Sequence, residues 1–435
     1  MRIFTQFLRH RHGVVAATTA LLMPALILFM ALAVEVGEWY TITRQLQSVA
    51  DAAAVAAAWD LAYSGTLAGA TTKATYSAAH GGFGGTPSVT CLVAYNPDVT
   101  GPCAPGMATG YVKATVSEQQ PTVFASMYER VLTLGAGAVA SWTQPYQSCA
   151  LALGAGGTDI TTTGSPTITL GTGCVMASQS AAADSLDLSG ASSVTAQTLI
   201  SAGGINGTCG ACTATPVLDG PIIPNPLSCS LAANSGFCSA VAAIPSGCTA
   251  MPATIPAPPS GGVCYTSMVF NGTVTLPAGT YYTTGNFDVQ GGTVTGTGVT
   301  IIVTNAGACE GNISFEGNST TATLTAPSSG TFAGMLFIQV APSGVACAST
   351  NSIGAGPTTP AVTLAGGIYS PDASWTFDAS PSTSCLSGVS PCGNKCLTVI
   401  SNTIVFGGTV DLEDAGCAAP SGTDLFNVAA ISLVE

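Results

Sequence analysis

The sequence predicts a mainly β protein displayed on an N-terminal helical anchor. Two observations carry this. Val14 to Val34 is an uncharged apolar run, long enough to cross a hydrocarbon core of about 30 Å at about 1.5 Å per residue. From Cys149 onward, short β-branched segments closed by glycine recur with turn residues between them, a strand pattern.

The anchor comes first. Residues 1–13 form a basic tail with Arg2, Arg9 and Arg11, and Glu35 and Glu38 follow the apolar run. Positive charge before the span keeps that end in the cytoplasm and exports the rest. A cleaved signal peptide would need a shorter apolar core and a small-residue cut site. Here residues 14–34 are long, and Val36, Trp39 and Tyr40 continue a helix, so a retained transmembrane helix is expected. Pro24 lies mid-span, where a membrane helix tolerates it with a kink.

Residues 35–64 read as an Ala-rich stalk helix, since Ala is the strongest helix former. Ala50 to Ala58 presents small side chains on nearly every face, which lets another helix approach closely. A solvated spacer is the plainer reading of the same run. Ser64-Gly65 ends the helix. Residues 65–148 read as a small α+β domain. Ser88–Val93 and Tyr111–Val116 alternate as half-buried strands, Gln120–Tyr128 as a short helix starting near Pro121, and Gly135–Trp142 as a last strand.

Residues 149–435 read as a strand-rich passenger. Ser165–Leu170, Ser193–Ile200, Val299–Thr304, Met335–Val340 and Thr403–Phe406 are its clearest runs. A right-handed parallel β-helix is the favoured architecture, because the strands are very short and small residues fill the turns. A β-sandwich is the alternative. Residues 205–264 interrupt the pattern with six cysteines and the run Thr254–Pro259, and read as a disulfide-stapled excursion. Cys385, Cys392 and Cys396 suggest a second, smaller one.

Composition bounds the chemistry. The 435 residues carry 8 Lys and Arg against 21 Asp and Glu, a formal charge of −13. Beyond Cys149 the one basic residue is Lys395, so nucleic acid is excluded as a partner. All sixteen cysteines lie beyond the anchor, and an even count on the exported side reads as disulfides. Cys209 and Cys212 have zinc-knuckle spacing, but no His follows His80. Disulfides are expected there, with no metal and no cofactor. The same lack of His excludes a Ser-His-Asp triad in the passenger. Asp184 with Asp187, and Asp411 with Glu413 and Asp414, are the carboxylate clusters that a glycosidase or a calcium site could draw on. Solvated turns account for both. No enzyme activity is expected.

Leu32-Ala-Val-Glu-Val-Gly-Glu-Trp-Tyr40 followed by Gln45-Leu-Gln-Ser-Val-Ala-Asp-Ala-Ala-Ala54 resembles the N-terminal segment of TadG-like proteins of the bacterial tight-adherence (Tad/Flp) pilus system. The matching positions are Gly37, Tyr40, Leu46, Gln47, Asp51, Ala52 and Ala53, with Glu35 and Val49 as mild departures. Thr18 stands where a prepilin-type leader would place Glu, so processing of that kind is not expected. The order of residues 65–148 is similar to the pseudopilin-like part of TadE and TadG proteins, and Cys91 is expected to pair with Cys103 around the intervening turn. The resemblance implies a single-pass inner-membrane protein with its bulk in the periplasm or at the cell surface. It also implies a role in pilus assembly or adherence alongside other Tad components. The seven matching residues would form the packing face of the anchor helix. A membrane-tethered β-helix that binds or cleaves a surface glycan is the alternative.

Overall fold

The computed structural model describes residues 11–62, 66–93, 100–101, 109–122, 131–171, 173–191, 193–208, 210–213, 216–218, 222–229, 234–304, 310–316, 320–341, 349–354, 361–378, 396–412 and 427–434. It divides into two compact units, Met1–Gln144 with Ala429–Glu435, and Pro145–Val428.

The first unit is built on α1 (Arg11–Ala62), one helix that runs unbroken through Pro24 and on through the stalk. Its N-terminal half is exposed: Leu21 is 79% and Phe29 is 67% accessible. This half is long and apolar enough to cross a membrane. Its C-terminal half is a packing element. Val49, Ala50, Ala53, Ala54, Ala57 and Leu61 are buried there. They meet α2 (Leu67–His80), whose Ala70, Ala74 and Ala78 lie on one face, and an antiparallel meander of β1 (Ser88–Leu92), β2 (Thr109–Pro121) and β3 (Val131–Ala152). Small residues on both helices allow the close approach. The stalk is therefore part of a domain core.

Three local expectations change. α2 has no counterpart in the sequence reading, although Thr66 caps it by accepting from Gly69 N–H at 3.1 Å. Gln120 and Pro121 belong to β2, not to a helix start; the rest of that proposed helix lies outside the described residues. β3 extends well beyond Gly135–Trp142 at both ends. Gly110 is required in β2, because a Cβ there would come within 2.1 Å of the Trp142 ring.

The second unit is made of short strands in parallel ladders. One ladder runs Cys264, Tyr282, Ile302, Ile338, Tyr369, Ile400, Leu151, Ala177, Ile200, each residue paired with the next. The order is not that of the chain. The strand Leu397–Phe406 lies against the last residues of β3, so the end of the passenger stacks on its beginning. A second ladder repeats this order, with Ile404 paired to Ile160 and Ile160 to Leu186. Parallel pairing of successive turns of chain is what a solenoid requires, and hairpin-built sandwiches lack it.

This order gives residues 218–262 a purpose. The ladder leaves the chain at Ile200, next to Val217, and resumes at Cys264. Eight pairings separate those two ends, about 38 Å at about 4.8 Å each. The Cys- and Pro-rich segment spans that distance as a strap. The Ile223 carbonyl accepts from Gln179 Nε2. Asn225 Nδ2 donates to Tyr369 Oη at 2.9 Å. Phe237, on α3 (Ser235–Ala242), meets the rings of Tyr369 and Phe332. The Ala240 carbonyl accepts from Tyr282 Oη at 2.9 Å. The disulfide Cys248–Cys264 fastens the far end, and Cys229–Cys238 closes a loop within the strap. Burial pushes the Tyr369 phenol up to about 12, so it stays neutral as the strap's acceptor.

The interior is apolar and aromatic. Phe270, Phe287, Phe315, Phe337, Trp375, Phe377 and Phe406 form a continuous ring stack with centroids 5.3–6.3 Å apart. At the corners small polar groups satisfy the bending backbone. Ser401 Oγ donates to the Ala373 carbonyl at 2.6 Å, and Ser178 Oγ to Asp159 Oδ2 at 2.7 Å. Asn351 Nδ2 donates to Gln339 Oε1 at 2.5 Å. Cys149–Cys174 joins adjacent turns, and no cysteine among the described residues is free. Phe337 touches three neighbours of the ring stack. Phe337→Ala is expected to cost about 3–5 kcal/mol, read as a lowered urea midpoint for the passenger.

Candidate functional site: the anchor helix and its groove

The matched positions on α1 separate by helical face. Leu46 is 3% exposed and Ala53 is fully buried, both in the core of the first unit. Gln47 and Asp51 lie one turn apart at the edge of that core. Gln47 Nε2 donates to Asp51 Oδ1 at 2.8 Å and to the Gly137 carbonyl of β3 at 3.2 Å. That amide thus ties the helix to the sheet. Gly37, Tyr40 and Ala52 are exposed. A Cβ at Gly37 would meet nothing within 4 Å, so nothing within the unit demands glycine there. The Gly37 carbonyl accepts from Thr41 Oγ1 at 3.0 Å, and the Arg44 guanidinium lies 5.0 Å from the Tyr40 ring centroid. The helix therefore carries an inward set that builds the unit and an outward set, of which Gly37 and Tyr40 lie just past the apolar span.

Beside Gln47 and Asp51 is a groove of about 860 Å³. Its floor is Gly135–Val139 of β3, and Lys113 and Thr115 of β2 line it with Leu433 and Val434 of the C-terminal strand Asn427–Val434. Ser141 Oγ lies 3.0 Å from Ser432 Oγ, which brings that strand to β3. Lys113 and the C-terminal strand were not singled out from the sequence. Nothing local in the chain ties residue 433 to residue 137. Cys91 is disulfide-bonded, and its expected partner Cys103 lies outside the described residues.

The described carboxylates that the sequence singles out have separate partners. Asp187 accepts from Ser189 Oγ at 2.6 Å, from Ser189 N–H at 3.1 Å and from Asn206 Nδ2 at 3.2 Å. The Ser189 hydroxyl foremost holds its carboxyl below the usual value. Asp184 accepts from Thr158 Oγ1 at 3.1 Å. The Thr158 and Asn206 bonds reach between segments 26 and 19 residues apart. Asp411 lies on the short strand Val410–Leu412, while Glu413, Asp414, Lys395 and Cys209 lie outside the described residues. Among the described residues no three His, Cys, Asp or Glu side chains are grouped to hold a metal ion.

Burial raises the pKa of the buried Asp159 and Glu310 and of the half-buried Asp60. Asp159 is 1% exposed. Burial raises its pKa against the opposing bonds from Ser178 and Ser180. Asp60 faces α2 closely enough that a Cβ on Gly69 would come within 2.7 Å of its Oδ2. Burial raises its pKa, and the Lys73 charge lowers it only in part. A folded-state pKa above the unfolded one favours folding below the unfolded value of about 3.8, and that contribution is lost as pH rises through the folded one. The melting temperature of Asp60→Asn is therefore expected to exceed the wild-type value at pH 7. The gap should shrink toward pH 4, as followed by circular dichroism across that range.

Residues 13–60 match the family model described as Tad, putative Flp pilus-assembly TadE/G-like. No curated protein and no solved structure matches the chain. The match ends just short of the end of α1 and takes in the apolar span and all of the buried face but Leu61 and Ala62. Over residues 13–60, then, the chain is similar to the TadE/G-like family of Flp pilus assembly.

Proposed function

We propose that this protein is a single-pass inner-membrane component of a tight-adherence pilus system, N-terminus in the cytoplasm, that holds a right-handed parallel β-helix on the outer side. Its role is structural, in assembling, anchoring or tipping the pilus or in attachment, and it is not an enzyme. The observation that carries this is the TadE/G-like match laid on a helix with two distinct halves. An exposed apolar half suits lipid, and the other half is the scaffold of a folded unit. The exposed Gly37 and Tyr40 at the junction suit contact with another membrane-embedded pilus component, since small residues let helices approach closely. The parallel ladders of the second unit support the β-helix reading. No observation among the described residues favours a glycan-cleaving role.

Deleting the gene is expected to reduce piliation and surface attachment, and normal attachment in the deletion strain would refute the reading. Gly37→Leu in the full-length protein is expected to lower attachment about tenfold, equivalent to about 1.4 kcal/mol of lost contact. Its abundance in the membrane fraction should be unchanged, because the added side chain meets nothing within the unit.

A further inference from the structure

The passenger carries an ordered threonine surface that neither the anchor nor the pilus reading uses. Val274–Leu276, Thr293–Thr297, Thr321–Thr325 and the first residues of Ala361–Phe377 pair in register as four successive rungs. Thr275, Thr295, Thr323 and Thr363 form one unbroken column across them. Thr293 with Thr321, and Thr297 with Thr325, flank that column on either side. The alternate residues Val294, Ala322, Leu324, Val362 and Leu364 point inward and are fully buried. The threonines are exposed or half-buried.

Parallel stacking fixes the rungs about 4.8 Å apart, and alternate residues along a strand about 6.6 Å apart. Threonine is stiff at χ1, so each hydroxyl and methyl is held in place on its rung. Thr275 Oγ1 and Thr295 Oγ1 lie 3.1 Å apart and bond to each other. The result is a two-dimensional array of threonines whose backbone positions repeat in both directions.

The array narrows the choice of partner. The chain has a formal charge of −13, yet no ionisable side chain stands among the outward positions of these four rungs. A charged partner finds nothing to pair with. The large aromatic side chains of this unit are turned inward, so the face lacks the aromatic anchors on which protein interfaces depend and the platforms on which sugar rings stack. A fixed repeat in two directions gains most from a partner that repeats in both, is neutral and excludes ions. Both repeats lie close to oxygen–oxygen repeats of hexagonal ice. We propose that this threonine face binds ice, its hydroxyls anchoring and its methyls caging a layer of lattice-ordered water.

The test uses the full chain in lipid nanodiscs, with ice as the probe. Wild type is expected to slow ice recrystallisation and to accumulate on particular faces of a growing crystal, relative to empty nanodiscs. Thr295→Tyr and Thr323→Tyr, which raise bulk above the plane, are expected to lose about tenfold in activity, or about 1.4 kcal/mol, with the melting temperature unchanged. Thr133→Tyr on β3, exposed in the first unit, should lose nothing. If the tyrosine variants fail to fold, Thr323→Val removes one hydroxyl at constant shape and should reduce activity measurably. The proposal is overturned if wild type behaves as empty nanodiscs do. It is also overturned if folded tyrosine variants keep full activity, or if the protein binds microcrystalline cellulose while leaving ice unaffected.

Discussion

The pairing of Leu397–Phe406 with the first strands of the passenger is the constraint on which the second unit depends. Val399 meets Ala150 and Ile404 meets Ile160, so the chain enters and leaves the stack in its middle. Each end of the stack must then be reached by chain that has travelled away from the entry point. The ladder runs outward through Ala177 and Ile200, and the remaining turns must start again at the far end. A covalent connection as long as the stack follows from that topology. Among the described residues its backbone has few ladder partners, so it needs other ties. The disulfides Cys229–Cys238 and Cys248–Cys264, the Asn225–Tyr369 bond and the Phe237 ring contacts supply them. The cysteine and proline content of residues 205–264 is thus a consequence of strand order elsewhere.

The individual strands were legible because burial selects β-branched and aromatic residues. Val299–Val303 is buried at every position, and so is Met335–Gln339. Their order in the stack was not legible. Tyr281 pairs with Ile301 after a short run of chain, whereas Ile301 pairs with Phe337 only after a long one. Loops of unequal length leave no period for the eye to find. Nor can a sequence scan join Val399 to Ala150, because register between distant parallel strands is set by the whole stack. On the anchor side, Leu46, Gln47 and Asp51 were recognisable from motif order. The alanines that pack α1 on α2 were visible only as a small-residue run, and α2 itself was missed. Its thirteenth and fourteenth residues, Ala79 and His80, lead into a Gly81-Gly82 stop, a signal that Thr66 at the other end completes.

The two units solve the problem of a charge-poor chain differently. In the first, closeness substitutes for bulk. Ala50, Ala54 and Ala57 of α1 against Ala70, Ala74 and Ala78 of α2 leave little area per residue to bury, but short side chains give up almost no rotamer freedom when they pack. In the second, repetition substitutes for bulk. Most of its short strands contribute only one to three interior residues, and the aromatic stack from Phe270 to Phe406 joins them into one core. Neither strategy needs surface ion pairs.

A surface relieved of charge becomes free to repeat. In most globular proteins solubility is secured by lysines and glutamates scattered over every face, which breaks any regular array. Here threonine and serine hydroxyls keep the exposed sides of the strands wetted, and the in-register ladder copies one position onto the next. The column from Thr275 to Thr363 arises directly from that choice. The same alternation that buries Val294 and Leu324 must place a hydroxyl on the other side at a fixed interval. Regularity on the outside is therefore the counterpart of close packing within, and a substitution that disturbs one disturbs the other.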